Sequence, residues 1–277
     1  MAVATDDWLR ACRGAVEGLR RVLQAKPTIA ERAEETGGRG EGGDRTLVID
    51  AAGEEAVFAE LDALHAAGHA FSALSEERGE VDYGGGDLRV IIDPIDGSLN
   101  AKRGLPHHAL SIAVADGPTM ADVIFGYVYD FGPREEWWAA RGHGAFLDGA
   151  RLDPGLGERR NRAGRLEVIG IESADPRWVA EVSGDLADVS HRLRAIGAIA
   201  LTLCQVAAAR LDAMASLKAC RAVDAAAGQL VAREGGGLVA FPACATPLGA
   251  PLDLVAHSPV VAARTPQALD EVARLAR

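Results

Sequence analysis

The apolar run Val90-Ile91-Ile92 breaks at Asp93-Pro94-Ile95-Asp96-Gly97-Ser98, and this break constrains the chain more than any other stretch. The run reads as a buried strand. Pro94 cannot donate to a sheet ladder and fixes its own φ, so the strand is expected to end there. Gly97 permits a backbone shape that a side chain would block, and lets a ligand approach the main chain. The carboxylates of Asp93 and Asp96, the carbonyl of Ile95, the hydroxyl of Ser98 and exposed amides thus meet at the end of a rigid element. Carboxylate and carbonyl oxygens suit a hard cation such as Mg²⁺. Amides and a hydroxyl suit a phosphate oxygen.

The 277 residues allow one large or two medium domains. A net charge of −11 makes nonspecific nucleic-acid binding a poor expectation. An anionic substrate would need local cations to offset that charge, and bound metal would supply them. Cys12, Cys204, Cys220 and Cys244 are scattered, against both a zinc site and a disulfide framework. Reduced thiols in a cytoplasmic protein are expected. Asp6, Asp7 and Arg10 interrupt any N-terminal signal-like run, and no stretch is apolar enough to span a membrane.

Trp8, Cys12, Ala15, Leu19 and Val22 predict a helix over 6–26, with Pro27 after its end. Residues 31–44 are polar and glycine-rich, and read as a surface loop or as a mobile lid over a site, with Arg39 in it. Residues 46–50 read as a short strand or a helix start, followed by a helix over 53–67. Strands are expected at 71–74, 88–93, 109–115 and 122–129, then a hairpin near 136–152 with Asp148-Gly149 as its turn. The arginine-rich stretch 156–165 marks a boundary between an N-terminal lobe, 1–155, and a C-terminal lobe, 156–277. In the second lobe strands are expected at 166–171, 211–217 and 238–241. Helices are expected around Trp178, over 197–210, and over 223–234 before Gly235-Gly236-Gly237.

Acidic groups recur where elements end or begin: Glu76 and Glu77, Asp93 and Asp96, Asp224, and Asp50. Each alone has a plain explanation as a helix cap, a turn former or a solvated charge. If the strands before Glu76 and Asp93 are neighbours, however, the carboxylates converge and repel. Two Mg²⁺ ions about 4 Å apart would relieve this and suit in-line displacement at phosphorus.

Taken in chain order, Ser75-Glu76-Glu77, Asp93-Pro94-Ile95-Asp96-Gly97-Ser98, Arg194-Ala195-Ile196-Gly197-Ala198 and Val223-Asp224-Ala225-Ala226-Ala227-Gly228 resemble the signatures of the inositol monophosphatase family, within the class that includes fructose-1,6-bisphosphatases. Leu47-Val48-Ile49-Asp50 resembles the segment carrying the family's Thr-x-x-Asp. The resemblance implies an α+β fold, a layered α-β-α-β-α sandwich of the sugar-phosphatase type. It implies a Mg²⁺-dependent, lithium-sensitive phosphomonoesterase acting on a small polyol or sugar phosphate, inositol 1-phosphate or fructose 1,6-bisphosphate, as a homodimer. Glu76, Asp93 and the Ile95 carbonyl would hold a first metal; Asp93, Asp96 and Asp224 a second; a third, weaker metal would touch Glu76. Asp50 and Ser98 would orient the attacking water, the Gly97 and Ser98 amides would cradle the phosphate, and Glu77 would support the site from behind. Gly197 and Ala198 would lie on the substrate side.

The departures from the family pattern bear on substrate. Ser98 replaces a Thr and keeps its hydroxyl, and Val223 replaces a Trp. Leu217 stands where the animal inositol enzymes carry a Glu that binds a sugar hydroxyl. Lys218 and Arg221 would suit a second substrate phosphate, or serve only as solvated charges. His107 and His108 read as structural or rim residues, since hard Mg²⁺ prefers oxygen. Trp137-Trp138 reads as core or as dimer contact. Alternatives are a nucleotide 3′-phosphatase or dinucleotide phosphatase of the same superfamily, and a non-catalytic regulatory partner protein that kept the fold. A haloacid-dehalogenase-type phosphotransferase, with an Asp-x-Asp pair, does not fit the three-residue spacing with a proline between.

Overall fold

The structure, a computed structural model, describes residues 5–41 and 45–276, with the backbone alone at 39, 45 and 46. Helices α1 (Thr5–Ala25) and α3 (Val48–Ala66) pack together. α1 buries Trp8, Cys12, Ala15 and Leu19 on one face, the spacing seen in sequence. Between them, α2 (Ile29–Arg32) is closed by a Thr28–Glu31 capping box. The glycine-rich segment is not simply a loop: β1 (Glu35–Arg39) pairs antiparallel with β2 (Arg45–Leu47). Backbone pairing needs no apolar side chains, so hydrophobic periodicity carries no trace of it. Residues 42–44 of that segment lie outside the described residues. α3 begins earlier than expected, and the Leu47 amide donates to Asp50 Oδ2 at 3.3 Å.

The first sheet contains β3 (Phe71–Ser75), β4 (Gly79–Tyr83) and β5 (Arg89–Asp96). After α4 (Ser98–Arg103) come β6 (Ala109–Ala115), β7 (Val123–Asp130), β8 (Glu135–Ala140), β9 (Gly144–Leu147) and β10 (Ala150–Arg151). Their spatial order is β10-β9-β8-β7-β6-β5-β3-β4. Asp148 and Gly149, at φ 48° and 78°, make the expected turn between β9 and β10. β5 does not stop at Pro94. It runs to Asp96 through a bulge, Asp93 pairing with Ser111 and Asp96 with Ala109, so three steps on β5 face two on β6. A bulge is one of the few places where a sheet accepts a proline. β3 and β5 are parallel neighbours, with Ser75 opposite Ile92, so both run out at the same edge of the sheet.

The second half contributes β11 (Leu166–Glu172), α5 (Pro176–Glu181), α6 (Ser183–Val189), β12 (Ser190–Arg194), α7 (Ile199–Ala207), β13 (Ala213–Ser216) and α8 (Ala222–Glu234). It ends with β14 (Leu238–Ala240), β15 (Val261–Ala263) and α9 (Pro266–Ala273). These strands form a sheet in the order β12-β11-β13-β15-β14. α1 and α3 cover one face of the first sheet, burying Val90 and Ile92, while Ile91 and Ala113 face α7 and α8. Alternate residues of one strand thus enter two cores, which is why its sequence is apolar throughout. α7 and α8 also touch Met214 and Ala262 of the second sheet, whose other face packs Val182, Leu186 and Val272. The layers run α-β-α-β-α. The chain passes to the second sheet between Arg151 and Leu166, yet α8 returns to pack on the first.

The two middle helices meet at a glycine. A Cβ on Gly228 would lie 2.8 Å from the Ala200 carbonyl oxygen and 3.0 Å from its Cα. Gly228→Ala is therefore expected to destabilise the fold by about 1–3 kcal/mol. Thermal unfolding checks this: the midpoint should fall by several degrees, and an unchanged midpoint would contradict the packing.

Candidate active site

The ends of β3 and β5 open into a cleft of about 650 Å³ lined by Asp50, Glu76, Glu77, Asp93, Ile95, Asp96, Gly97, Ser98 and Asp224, among others. The parallel pairing puts Glu76, one residue past β3, beside Asp93 at the bulge of β5. Asp224 arrives from the first turn of α8. The loop after β3 is held from behind by buried Glu54, which accepts from the Ser75 hydroxyl, from the Arg78 amide at 3.2 Å and from Arg78 Nε at 3.2 Å.

Burial is the largest influence on Asp93 and Asp96, and it pushes both carboxyls far above the ordinary carboxylate range. The charges of Glu76, Asp96 and Asp224 push Asp93 further the same way, and Asp224 does so for Asp96. The Arg221 charge opposes this at Asp93, and the Ala200 and Ile199 amides oppose it at Asp96, the Ala200 amide, in the first turn of α7, donating to Asp96 Oδ2 at 2.8 Å; the Ile95 amide donates to Asp93 Oδ1 at 3.0 Å. Asp224 also serves as the cap suggested by its position, accepting from the Arg221 amide at 2.9 Å. Asp50 is raised to about 7, chiefly by burial, and its Oδ1 is buried with no hydrogen-bond partner among the described residues.

Directly after Asp96, Gly97 sits at φ 82° and starts α4. A Cβ there would lie 3.0 Å from both the Gly197 and the His107 carbonyl oxygens, so no side chain fits. The Ser98 and Leu99 amides precede any acceptor within α4, whereas the Asn100 amide donates to the Gly97 carbonyl at 2.8 Å. Three further residues shape the cleft without any motif announcing them. Asn100 Nδ2 donates to the carbonyls of His107 at 2.9 Å and Ile196 at 2.8 Å, tying α4 to the opposite loop. Glu172, buried at the end of β11, accepts from the Gly197 amide at 3.0 Å, the Ile196 amide at 3.1 Å and the Thr202 hydroxyl at 2.6 Å. Lys102 of α4 lines the cleft as a cation. Glu172 could have been found by the signal that marks Glu76, an acid closing an apolar strand.

Gly197, Ala198 and Arg221 line the cleft with the acids. Lys218 does not: its ammonium lies 5.0 Å from the centre of the Trp178 ring, a cation–π contact that turns it away from the lining. Leu217 is buried in the core beside the second sheet. Glu77 lines the cleft rather than standing wholly behind it, and its carbonyl accepts from the Glu41 amide at 3.3 Å next to the β1–β2 pair. His107 Nδ1 lies 3.1 Å from Asp130, and His108 stacks on Phe131; neither lines the cleft. Trp137 is fully buried within the chain, so it cannot form an external contact, and Trp138 stacks on Phe146 with ring centroids 4.1 Å apart.

The donors converging here are all oxygens: the carboxylates of Glu76, Asp93, Asp96 and Asp224 and the carbonyl of Ile95. That set fits a hard divalent cation. Among the described residues no three acidic, His or Cys side chains are already drawn together tightly enough to cage an ion. A protein cation occupies the gap instead. Arg221 Nη1 lies 2.8 Å from Glu76 Oε1, and Nη2 lies 3.7 Å from Asp224 Oδ1. The acids thus draw a positive charge, and a bound metal would compete with the guanidinium for it.

The layered α+β fold, with an acidic, all-oxygen cleft at one sheet edge, has the architecture of solved inositol monophosphatases. The model of the inositol monophosphatase family matches residues 8–277, and the chain belongs to that family. A fructose-1,6-bisphosphatase/inositol-1-monophosphatase of Thermococcus kodakarensis is 33% identical over 215 residues, 76% of this chain and 74% of that protein. An inositol-1-monophosphatase of Mesorhizobium japonicum is 33% identical, covering 71% of this chain and 72% of the relative. A protein of Pasteurella multocida named Nus factor SuhB is 34% identical over 71% of each chain. A solved inositol monophosphatase–fructose 1,6-bisphosphatase superposes with a TM-score of 0.80 at 25% identity, covering 97% of this chain and 99% of that one. No helix among the described residues is long and apolar enough to cross a membrane.

The raised carboxyls carry a pH signature. Asp50 ionises near 3.9 in an unfolded chain and at about 7 in the fold. Between those values the native state holds the extra proton, so this group's contribution to stability falls as pH rises through the window. In metal-free protein the unfolding midpoint is expected to drop between about pH 4 and pH 7, and Asp50→Asn should flatten that slope. Parallel profiles for wild type and variant would contradict the burial of Asp50.

Proposed function

We propose that the chain is a Mg²⁺-dependent phosphomonoesterase acting on a small polyol or sugar phosphate. The observation that carries this is the common edge of β3 and β5, where Glu76, Asp93 and Asp96 line one cleft together with the Gly97–Ser98 turn. The amides of Gly97 and Ser98 hold the phosphate, with the ester oxygen directed toward Gly197 and Ala198. Asp50, buried with a pKa of about 7, and the Ser98 hydroxyl position the attacking water, and Asp50 accepts its proton. Glu76, Asp93, Asp96, Asp224 and the Ile95 carbonyl would hold two or three Mg²⁺ ions, which would supply Lewis-acid activation of the water and charge neutralisation at the leaving oxygen.

The cleft volume of about 650 Å³ lies in the range of small-ligand sites. Inositol 1-phosphate and fructose 1,6-bisphosphate are the substrates we infer. Leu217 offers no acceptor to a sugar hydroxyl, which weakens selection for inositol. With Lys218 committed to Trp178, the second phosphate of a bisphosphate falls to Arg221 and Lys102. A homodimeric, cytoplasmic enzyme accompanies this reading. The relative named Nus factor SuhB supports a second reading, a regulatory partner protein on the same fold.

Phosphate release from both compounds, measured with and without Mg²⁺, separates the two readings. Metal-dependent turnover of either compound is expected, and no turnover of either would favour the partner protein. Asp93→Asn should lower kcat by about 10²–10³-fold or more with the fold intact, and wild-type rates would contradict the acidic site. Arg221→Ala should raise KM for the bisphosphate about tenfold more than for the monophosphate; equal effects would remove Arg221 from the second-phosphate role.

A further inference from the structure

A second cavity, of about 440 Å³, shares no lining residue with the cleft. Arg20, Arg32 and Arg134 line it, and among the described residues no Asp or Glu does, in a chain whose net charge is −11. The three cations are differently committed. Arg32 donates to the carbonyls of Lys26 at 2.8 Å, Ala101 at 3.1 Å and Leu23 at 3.3 Å, neutral acceptors that fix the guanidinium without cancelling its charge. Arg20 is bonded to Glu17 at 2.8 Å and lies over the Tyr129 ring. Arg134 is exposed and makes no hydrogen bond or ion pair among the described residues. It is held at φ 64°, a conformation that a side chain larger than glycine adopts at a cost.

The rest of the wall, Leu23, Gln24, Pro27, His108 and Phe131, carries no acidic side chain. His108 stacks on Phe131 with ring centroids 5.6 Å apart and planes 15° from parallel. Burial pushes its imidazole down to about 4, so it adds no charge near neutrality. Leu23 completes this side.

We propose that this pocket binds a small phosphate-bearing anion, its oxygens held by Arg20, Arg32 and Arg134 and its remainder packed against Phe131 and His108. Planar guanidinium forks match phosphate oxygens in pairs, and arginine clusters are the usual solution for binding them. The cavity has the volume of a small-ligand site, with room for more than a bare oxyanion. Arg32 also holds the carbonyl of Ala101 in α4, the helix whose first turn takes the phosphate in the proposed function.

Inorganic phosphate, titrated calorimetrically into metal-free full-length protein at low ionic strength, is the test. Leaving metal out removes metal-bound phosphate from the reading, and any phosphate held by the cleft itself is reported by Arg221, which lines the cleft and not the arginine pocket. One saturable site per chain is expected. Arg134→Ala, at an exposed turn position, and Arg20→Gln should each weaken binding about tenfold, while Arg221→Gln in the cleft should leave it unchanged. No saturable binding would overturn the proposal, as would binding that ignores Arg134→Ala and Arg20→Gln and is lost in Arg221→Gln.

Discussion

Carboxylates sharing a buried corner repel one another, and everything functional in this fold is arranged around that repulsion. Asp93 and Asp96 sit at the end of a core strand where water cannot screen them, with Glu76 and Asp224 close enough to push Asp93 upward. Such a cluster survives only with protons, a protein cation or a bound metal as counter-charge. Arg221 fills that role between Glu76 and Asp224. A divalent ion carries twice the charge and accepts more oxygens, so the same geometry that strains the metal-free corner favours metal binding.

The loops that edge the corner are tied from outside by hydrogen bonds. Glu54 grips the loop carrying Glu76 and Glu77, Glu172 grips the loop carrying Gly197, and Asn100 fastens α4 to both the His107 and Ile196 carbonyls. Gly97 and Gly197 permit the close backbone approach where the two sides meet. Chemistry and support come from different residues, and the support uses buried polar groups whose hydrogen bonds are satisfied within the protein.

The legible parts of the sequence were those with a strong local period or a close-spaced motif. The apolar runs of β3, β5, β6 and β7, the stripe on α1 and the Asp148-Gly149 turn are local features, and the structure has them where expected. Local reasoning failed where a partner distant in sequence decides the outcome. Pro94 stays within β5 because β6 accommodates a bulge. The β1–β2 pair forms from glycine-rich backbone with no apolar mark. Lys218 faces Trp178, forty residues earlier in the chain, instead of the cleft. Glu172 and Asn100 belong to no motif, though both stand where an element ends or begins.

Direct observation of a cation is the sharpest test of the central claim. Crystals grown with Mn²⁺ in place of Mg²⁺, examined by anomalous scattering, should place an ion in contact with the Asp93 carboxylate and at least one of Glu76, Asp96 and Asp224, with Arg221 withdrawn from Glu76. An ion-free cleft at saturating Mn²⁺, with the guanidinium still bridging Glu76 and Asp224, would contradict it.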